Sequence, residues 1–110
     1  MGTRCLTIIY DEQNTEICVI YRQMDGYPEQ HGTELEKFFK DKKMVNGISE
    51  NDEDNFNGMN CLAARLISEL KIGIGMFYLY PAGTRNMGEE YIYHIRYGKN
   101  NKPEIEIEIV

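Results

Sequence analysis

Histidine occurs only twice and cysteine only three times in these 110 residues, and no CxxC pair or neighbouring histidine joins Cys5, Cys18 and Cys61. That scarcity leaves no zinc framework, and no metal or cofactor is expected. The cysteines lie in apolar flanks, two in expected strands and one in an expected helix, as buried free thiols of a reducing compartment do. No apolar run approaches the ~20 residues that span a bilayer. The first residues also lack a signal peptide's apolar core, since Asp11 ends the short run after Arg4. Leu6 stands where myristoylation of Gly2 would need Ser or Thr, and Gly2 has no side chain to serve as an N-terminal nucleophile. A cytoplasmic location is expected. Positive charge is scarce too: 12 Lys and Arg against 18 acids give a net charge of −6. Nucleic acid is therefore disfavoured as a partner, although a local basic cleft can survive on an acidic protein. The 18 acids are also too few, and too mixed with Lys and Arg, for a DNA mimic.

What is present fits a globular chain, with 42% hydrophobic and 27% charged residues and a length suited to one domain over residues 1–110. Thr3 to Tyr10 and Glu16 to Arg22 are β-branched, apolar runs about a polar turn, a hairpin signal. Both are apolar on both faces, which suggests central strands or a second buried surface. Thr33-Glu34-Leu35-Glu36 reads as a capping box opening a helix with Leu35, Phe38, Phe39 and Met44 on its buried side, to stop before Asn46-Gly47. Ile48 to Phe56 is polar, acidic and the least ordered stretch expected. Leu62, Leu66 and Leu70 mark a second helix after Asn57-Gly58, ended by Gly73 and Gly75. Met76 to Tyr80, Glu90 to Tyr97 and Glu104 to Val110 read as strands. Pairing Ile95 with Ile105 in the last hairpin opposes Arg96 to Glu104 and His94 to Glu106, turns Ile105, Ile107 and Ile109 inward and leaves the Glu row exposed. The expectation is an α+β fold, a two-layer sandwich whose antiparallel sheet of about five strands is covered by two helices in the order ββααβββ.

The loop from Arg22 to Gly32 gathers Arg22, Asp25, Tyr27 and His31 between a strand end and a helix start, a natural place for an anion. Arg22 would clamp a phosphate or carboxylate, Tyr27 stack on a ring and His31 donate a hydrogen bond, with Gly26 and Gly32 admitting the ligand. The same residues equally serve structure: Arg22 paired with Asp25, Tyr27-Pro28 packed on the core, His31 capping the helix. Arg4 shares its parity with Arg22, so the two could form a basic pair at one sheet edge. Arg85, in the Pro81–Gly88 loop, could close over a ligand, or that loop is a plain hairpin connection. Phosphate-loop, dinucleotide and nucleophile-elbow spacings are missing, and Asp52, Glu53 and Asp54 lack calcium-loop spacing. No catalytic residues can be named, and a binding protein is expected rather than an enzyme; a small hydrolase is the least favoured reading.

Met1-Gly2-Thr3-Arg4-Cys5-Leu6-Thr7, Asp25-Gly26-Tyr27-Pro28 with His31-Gly32, and Asn57-Gly58-Met59 leading into Cys61-Leu62-Ala63-Ala64 carry a resemblance. Over its first two thirds the chain resembles a set of small uncharacterised proteins of bacteriophages and prokaryotes that open MGTRxLT and carry DGYPxxHG. The resemblance implies an accessory protein, with counter-defence in the host cytoplasm as a role. Two expectations follow: sequestration of a small anionic, nucleotide-like ligand, or inhibition of a host protein through the acidic surface or the Glu104–Glu108 edge. A homo-oligomer would fit either.

Overall fold

The β-branched run after Arg4 forms strand β1 (Cys5–Tyr10), and the chain returns antiparallel as β2 (Glu16–Arg22). Asp11 closes the turn between them, its carboxylate accepting the N–H groups of Gln13 and Thr15 at 2.9 Å each, the local bonding that suits Asp to turns. A π-helical turn (Pro28–Gly32) then leads into α1 (Thr33–Phe39), followed by α2 (Met59–Leu70), β3 (Phe77–Pro81), β4 (Tyr91–Tyr97) and β5 (Pro103–Ile109). The structure is a computed structural model and describes residues 2–46 and 55–110. Of the polar Ile48–Phe56 stretch, residues 48–54, including Asp52, Glu53 and Asp54, lie outside the described residues. Phe56 at its end is fully buried.

The protein is α+β, with one open five-stranded sheet in the order β3-β2-β1-β4-β5 and two helices. The sheet is mixed, which corrects the wholly antiparallel expectation: β1 runs parallel to β4, with Cys5 beside Tyr91 and Ile9 beside Ile95. The reason lies in β1 itself. Every one of its residues is buried, so it needs a strand on each side and cover on both faces. The Pro81–Gly88 segment consequently is no hairpin turn. It begins the passage from β3, at the sheet edge, over β2 and β1 to β4, and Met87 packs against the cluster of Leu6, Ile8, Tyr10, Val19 and Ile92 as it crosses.

On the opposite face the helices supply Leu35, Leu62 and Leu66 to a cluster with Ile9, Ile20 and Ile95. The capping box does not form. Pro28 starts the helical path, Tyr27 is the residue before it at φ −76° and ψ 158°, and Thr33 is already helical. Proline suits a first helical turn because its missing N–H would have no partner there. The helix ends early, at Phe39, and Asp41 turns the chain with φ 61°. α2 follows Gly58, which has no side chain to cap it; Glu12 from the β1–β2 turn accepts the Met59 N–H at 2.8 Å instead. None of the described helices is long and apolar enough to cross a membrane.

The last hairpin has the expected register, Ile95 beside Ile105, Arg96 beside Glu104 and His94 beside Glu106. Its isoleucines are not uniformly inward, however. Ile105 is half-buried, whereas Ile107 is 42% and Ile109 79% exposed. They share the face that the helices cover further in, but the cover stops short of β5. Period fixes a face; it does not say whether anything lies on it.

Candidate functional site

Arg22 ends β2 on the helix-covered side, and the π-helical turn lays His31 over β1 beside it. His31 Nε2 lies 2.7 Å from Thr7 Oγ1 and its Nδ1 lies 3.0 Å from Arg22 Nη1. The same Arg22 Nη1 donates to Glu34 Oε2 at 2.6 Å, and Arg22 Nε donates to the Met24 carbonyl at 2.6 Å. A guanidinium can only donate. Nδ1 must therefore accept, which places the imidazole proton on Nε2 and makes it the donor to Thr7. Thr7 and His31 are wholly buried and Arg22 nearly so. Burial first, and the Arg22 charge second, hold the His31 pKa down at about 3. The imidazole is thus a neutral, two-bonded structural link.

The surroundings lock this link in place. Tyr93 meets His31 edge-on at 4.7 Å and donates its hydroxyl to the Gly26 carbonyl at 2.7 Å. The Arg22 guanidinium lies over the Phe77 ring at 5.0 Å. Gly26 donates to the Thr3 carbonyl and lies so close to Cys5 that an added Cβ would sit 2.7 Å from the Cys5 Cβ. Burial pushes the Cys5 thiol up to about 12, far from a reactive thiolate. The two segments that open MGTRxLT and carry DGYPxxHG are therefore packed on each other.

The other predicted site residues lie apart from this link. Asp25 is exposed in a turn at φ 62°, and Tyr27 is 36% exposed. Arg22 pairs with Glu34 where Asp25 was the expected structural partner. Arg4 and Arg22 are on opposite faces, because β1 and β2 pair Cys5 with Arg22, so even residues of one strand share a face with odd residues of the other. Arg4 instead lies against Gly88 of the crossover. Arg85 folds onto the sheet, its Nη2 2.7 Å from Glu16 Oε2 and Nη1 3.3 Å from Oε1. That pair holds Glu16 below the usual carboxylate range.

Two groupings were missed. On the crossover side, the Tyr10 hydroxyl meets His94 Nδ1 at 2.7 Å, His94 Nε2 meets Glu108 at 2.8 Å, and the Arg96 guanidinium lies 4.0 Å over the Tyr10 ring. Parity already placed His94, Arg96 and Glu108 on one face; the parallel β1–β4 pairing that adds Tyr10 leaves no local signal. Between α1 and α2 lies a recess of about 430 Å³ lined by Lys37, Phe38, Lys42 and Arg65, with Glu34 and Glu69. Lys42 lies 5.0 Å from the Phe38 ring centre, and Arg65 lies 5.6 Å from that of Phe56. Only tertiary packing brings these together. Among the described residues, no three His, Cys, Asp or Glu side chains gather as a metal site requires, and every buried polar side-chain atom has a partner.

Compared with protein-family models, curated proteins and solved structures, the chain has no match.

Proposed function

We propose that the protein is a small-ligand-binding accessory protein that holds an anionic, nucleotide-like metabolite in the recess between α1 and α2. One observation carries the reading: on a chain of net charge −6, Lys37, Lys42 and Arg65 gather at one recess beside the Phe38 ring. Cations on flexible stems suit phosphate groups, an aromatic ring suits a base, and Glu34 and Glu69 can accept hydrogen bonds from sugar hydroxyls. The volume falls within the usual range for small-ligand sites. The Arg22–His31 loop then acts from behind, through Glu34, which it shares with the recess. In a phage setting, as the resemblance implies, sequestering a host signalling nucleotide would be the counter-defence role. Binding fits better than catalysis, because both histidines are engaged in hydrogen bonds within the fold.

The test is a thermal-shift and calorimetric screen of nucleoside mono-, di- and triphosphates and cyclic dinucleotides. A ligand at 100 times its Kd should stabilise the fold by about 2.7 kcal/mol. Lys37→Glu should weaken that ligand at least tenfold, about 1.4 kcal/mol, at unchanged melting temperature of the free protein. If no phosphorylated ligand stabilises the protein, or Lys37→Glu binds like the parent, the recess reading fails.

A further inference from the structure

The sheet has two edges, and only one of them is closed by its own chain. In β3, the bond from Gln23 N–H to the Met76 carbonyl fixes the alternation, so Tyr78 and Tyr80 bond toward β2 and the backbone of Phe77, Leu79 and Pro81 faces outward. Those outward groups are mostly taken. Phe77 N–H donates to the Gly75 carbonyl and its carbonyl accepts from Lys71 Nζ. Pro81 has no N–H, and its carbonyl accepts from both the N–H and the hydroxyl of Thr84. Among the described residues only Leu79 keeps a donor and an acceptor without a partner, and an edge blunted in this way resists a further strand.

β5 is built the other way. The bonds from Gly98 N–H to the Lys102 carbonyl and from Val110 N–H to the Glu90 carbonyl set its alternation. Glu104, Glu106 and Glu108 therefore bond toward β4, and the N–H and C=O groups of Ile105, Ile107 and Ile109 face outward. None of these six groups has a partner among the described residues. Their side chains form an apolar row of increasing exposure beside this edge, and Glu104, Glu106 and Glu108 form an acidic row on the other face.

We infer that the β5 edge is a docking site for an extended segment of another protein in which apolar and basic residues alternate. Outward backbone groups supply the hydrogen bonds of an added strand, and the alternate side chains select its sequence. Apolar residues of the incoming strand continue the isoleucine row, and Lys or Arg between them fall opposite Glu104, Glu106 and Glu108. A second copy of this chain does not fit. Two β5 strands bonded through their outward residues pair odd with odd across a two-fold axis, so every register that sets two or more of Ile105, Ile107 and Ile109 opposite isoleucine also sets glutamate against glutamate. Centring on Glu106, for example, opposes Glu104 to Glu108 twice, and like charges opposite each other destabilise a sheet. The β3 edge of a second copy offers only Leu79. The site is on a different surface from the α1–α2 recess and stands or falls separately from it.

The test uses three end-blocked ten-residue peptides: alternating Lys and Val, alternating Glu and Val, and the first composition with its lysines and valines in separate blocks. Binding is read by anisotropy of the labelled peptide and by amide shifts of Ile105, Ile107 and Ile109 in the full chain. The alternating Lys peptide should bind, weaken with added salt and shift those three amides; the other two peptides should bind at least tenfold more weakly. Ile107→Pro removes one outward N–H while sparing the β4–β5 ladder, and should lower affinity at least tenfold. Should that variant fail to fold, Glu106→Lys, a change at an exposed position, should narrow the preference for the Lys peptide over the Glu peptide at least threefold, and an unchanged preference would overturn the inference. No binding of the Lys peptide, equal binding of all three, or unchanged binding to a folded Ile107→Pro would overturn the inference. So would sedimentation showing a dimer that Ile107→Pro dissociates, because a second copy would then be the occupant.

Discussion

Acidification should strike this protein first at His31. In the folded chain Nδ1 accepts a bond from Arg22 and the ring is wholly buried, so a proton arriving there would face a guanidinium with no water to screen it. The folded pKa of about 3 lies below the ordinary 6.5. In that window the unfolded chain takes up a proton that the folded chain refuses. The His31 contribution is complete above about pH 6.5 and is lost as the pH falls, at about 1.4 kcal/mol per unit, until folded His31 itself protonates. Between pH 6 and pH 4 the loss is about 2 to 3 kcal/mol, a large share of the ~5–15 kcal/mol that holds such a domain. His31→Gln removes the titration and keeps the bonding, since an amide can accept from Arg22 and donate to Thr7. Urea unfolding followed by far-ultraviolet circular dichroism measures both proteins at each pH, and effects common to the other carboxylates cancel in the difference. The parent's stability relative to the variant should fall by about 2 to 3 kcal/mol over that range. Parallel curves for the two proteins would refute the buried, neutral imidazole.

Leu62, fully buried on the inner face of α2, should cost ~2–5 kcal/mol when changed to Ala, whereas Ile109→Ala at the exposed end of β5 should stay within about 0.5 kcal/mol. Equal losses in chemical denaturation would mean that the helix-covered face extends over β5 after all. Glu12→Ala should cost ~0.5–2 kcal/mol, the worth of an N-terminal cap, because Glu12 supplies a side-chain acceptor to the Met59 N–H at the start of α2. Unchanged stability at Glu12 would show that bond to be dispensable.

The parts of the fold that were legible are those where a period repeats. Tyr91, Tyr93, Ile95 against His94 and Arg96, then Ile105 against Glu104 and Glu106, fixed the hairpin register, because a slip of one residue would invert both faces. Leu62 and Leu66 likewise marked α2. The parallel β1–β4 pairing was not legible: it joins strands some eighty residues apart, and nothing local to Cys5–Tyr10 names Tyr91–Tyr97 as its neighbour. The helix start failed for a chemical reason. Thr33-x-x-Glu36 carries the letters of a cap, but Pro28 begins helical geometry five residues earlier, so Thr33 has no orphan N–H groups to serve. The Arg22–Gly32 loop was legible as unusual, and Arg22 and His31 do meet. Which way they point was not legible, since a cation and an imidazole near a helix start are the same letters whether they face solvent or Thr7.

That inward turn still bears on the surface. Arg22, almost wholly buried, pairs with Glu34, and Glu34 is a wall of the α1–α2 recess. Left alone, Glu34 and Glu69 would offset the charges of Lys37 and Lys42 beside them. With the Arg22 Nη1 2.6 Å from Glu34 Oε2, one of those carboxylates is already neutralised from behind, by a guanidinium almost wholly removed from water. A charge held at low dielectric is screened far less than one on the surface. The recess therefore sets Lys37 and Lys42 beside one carboxylate, Glu34, that Arg22 already pairs, and a second, Glu69. His31 and Thr7 complete the arrangement by fixing where the guanidinium sits, since the imidazole accepts a hydrogen bond from Arg22 Nη1 and donates one to the Thr7 hydroxyl on β1. A guanidinium buried at the end of β2 thus offsets one carboxylate of a cleft between two helices, without touching anything that would occupy it.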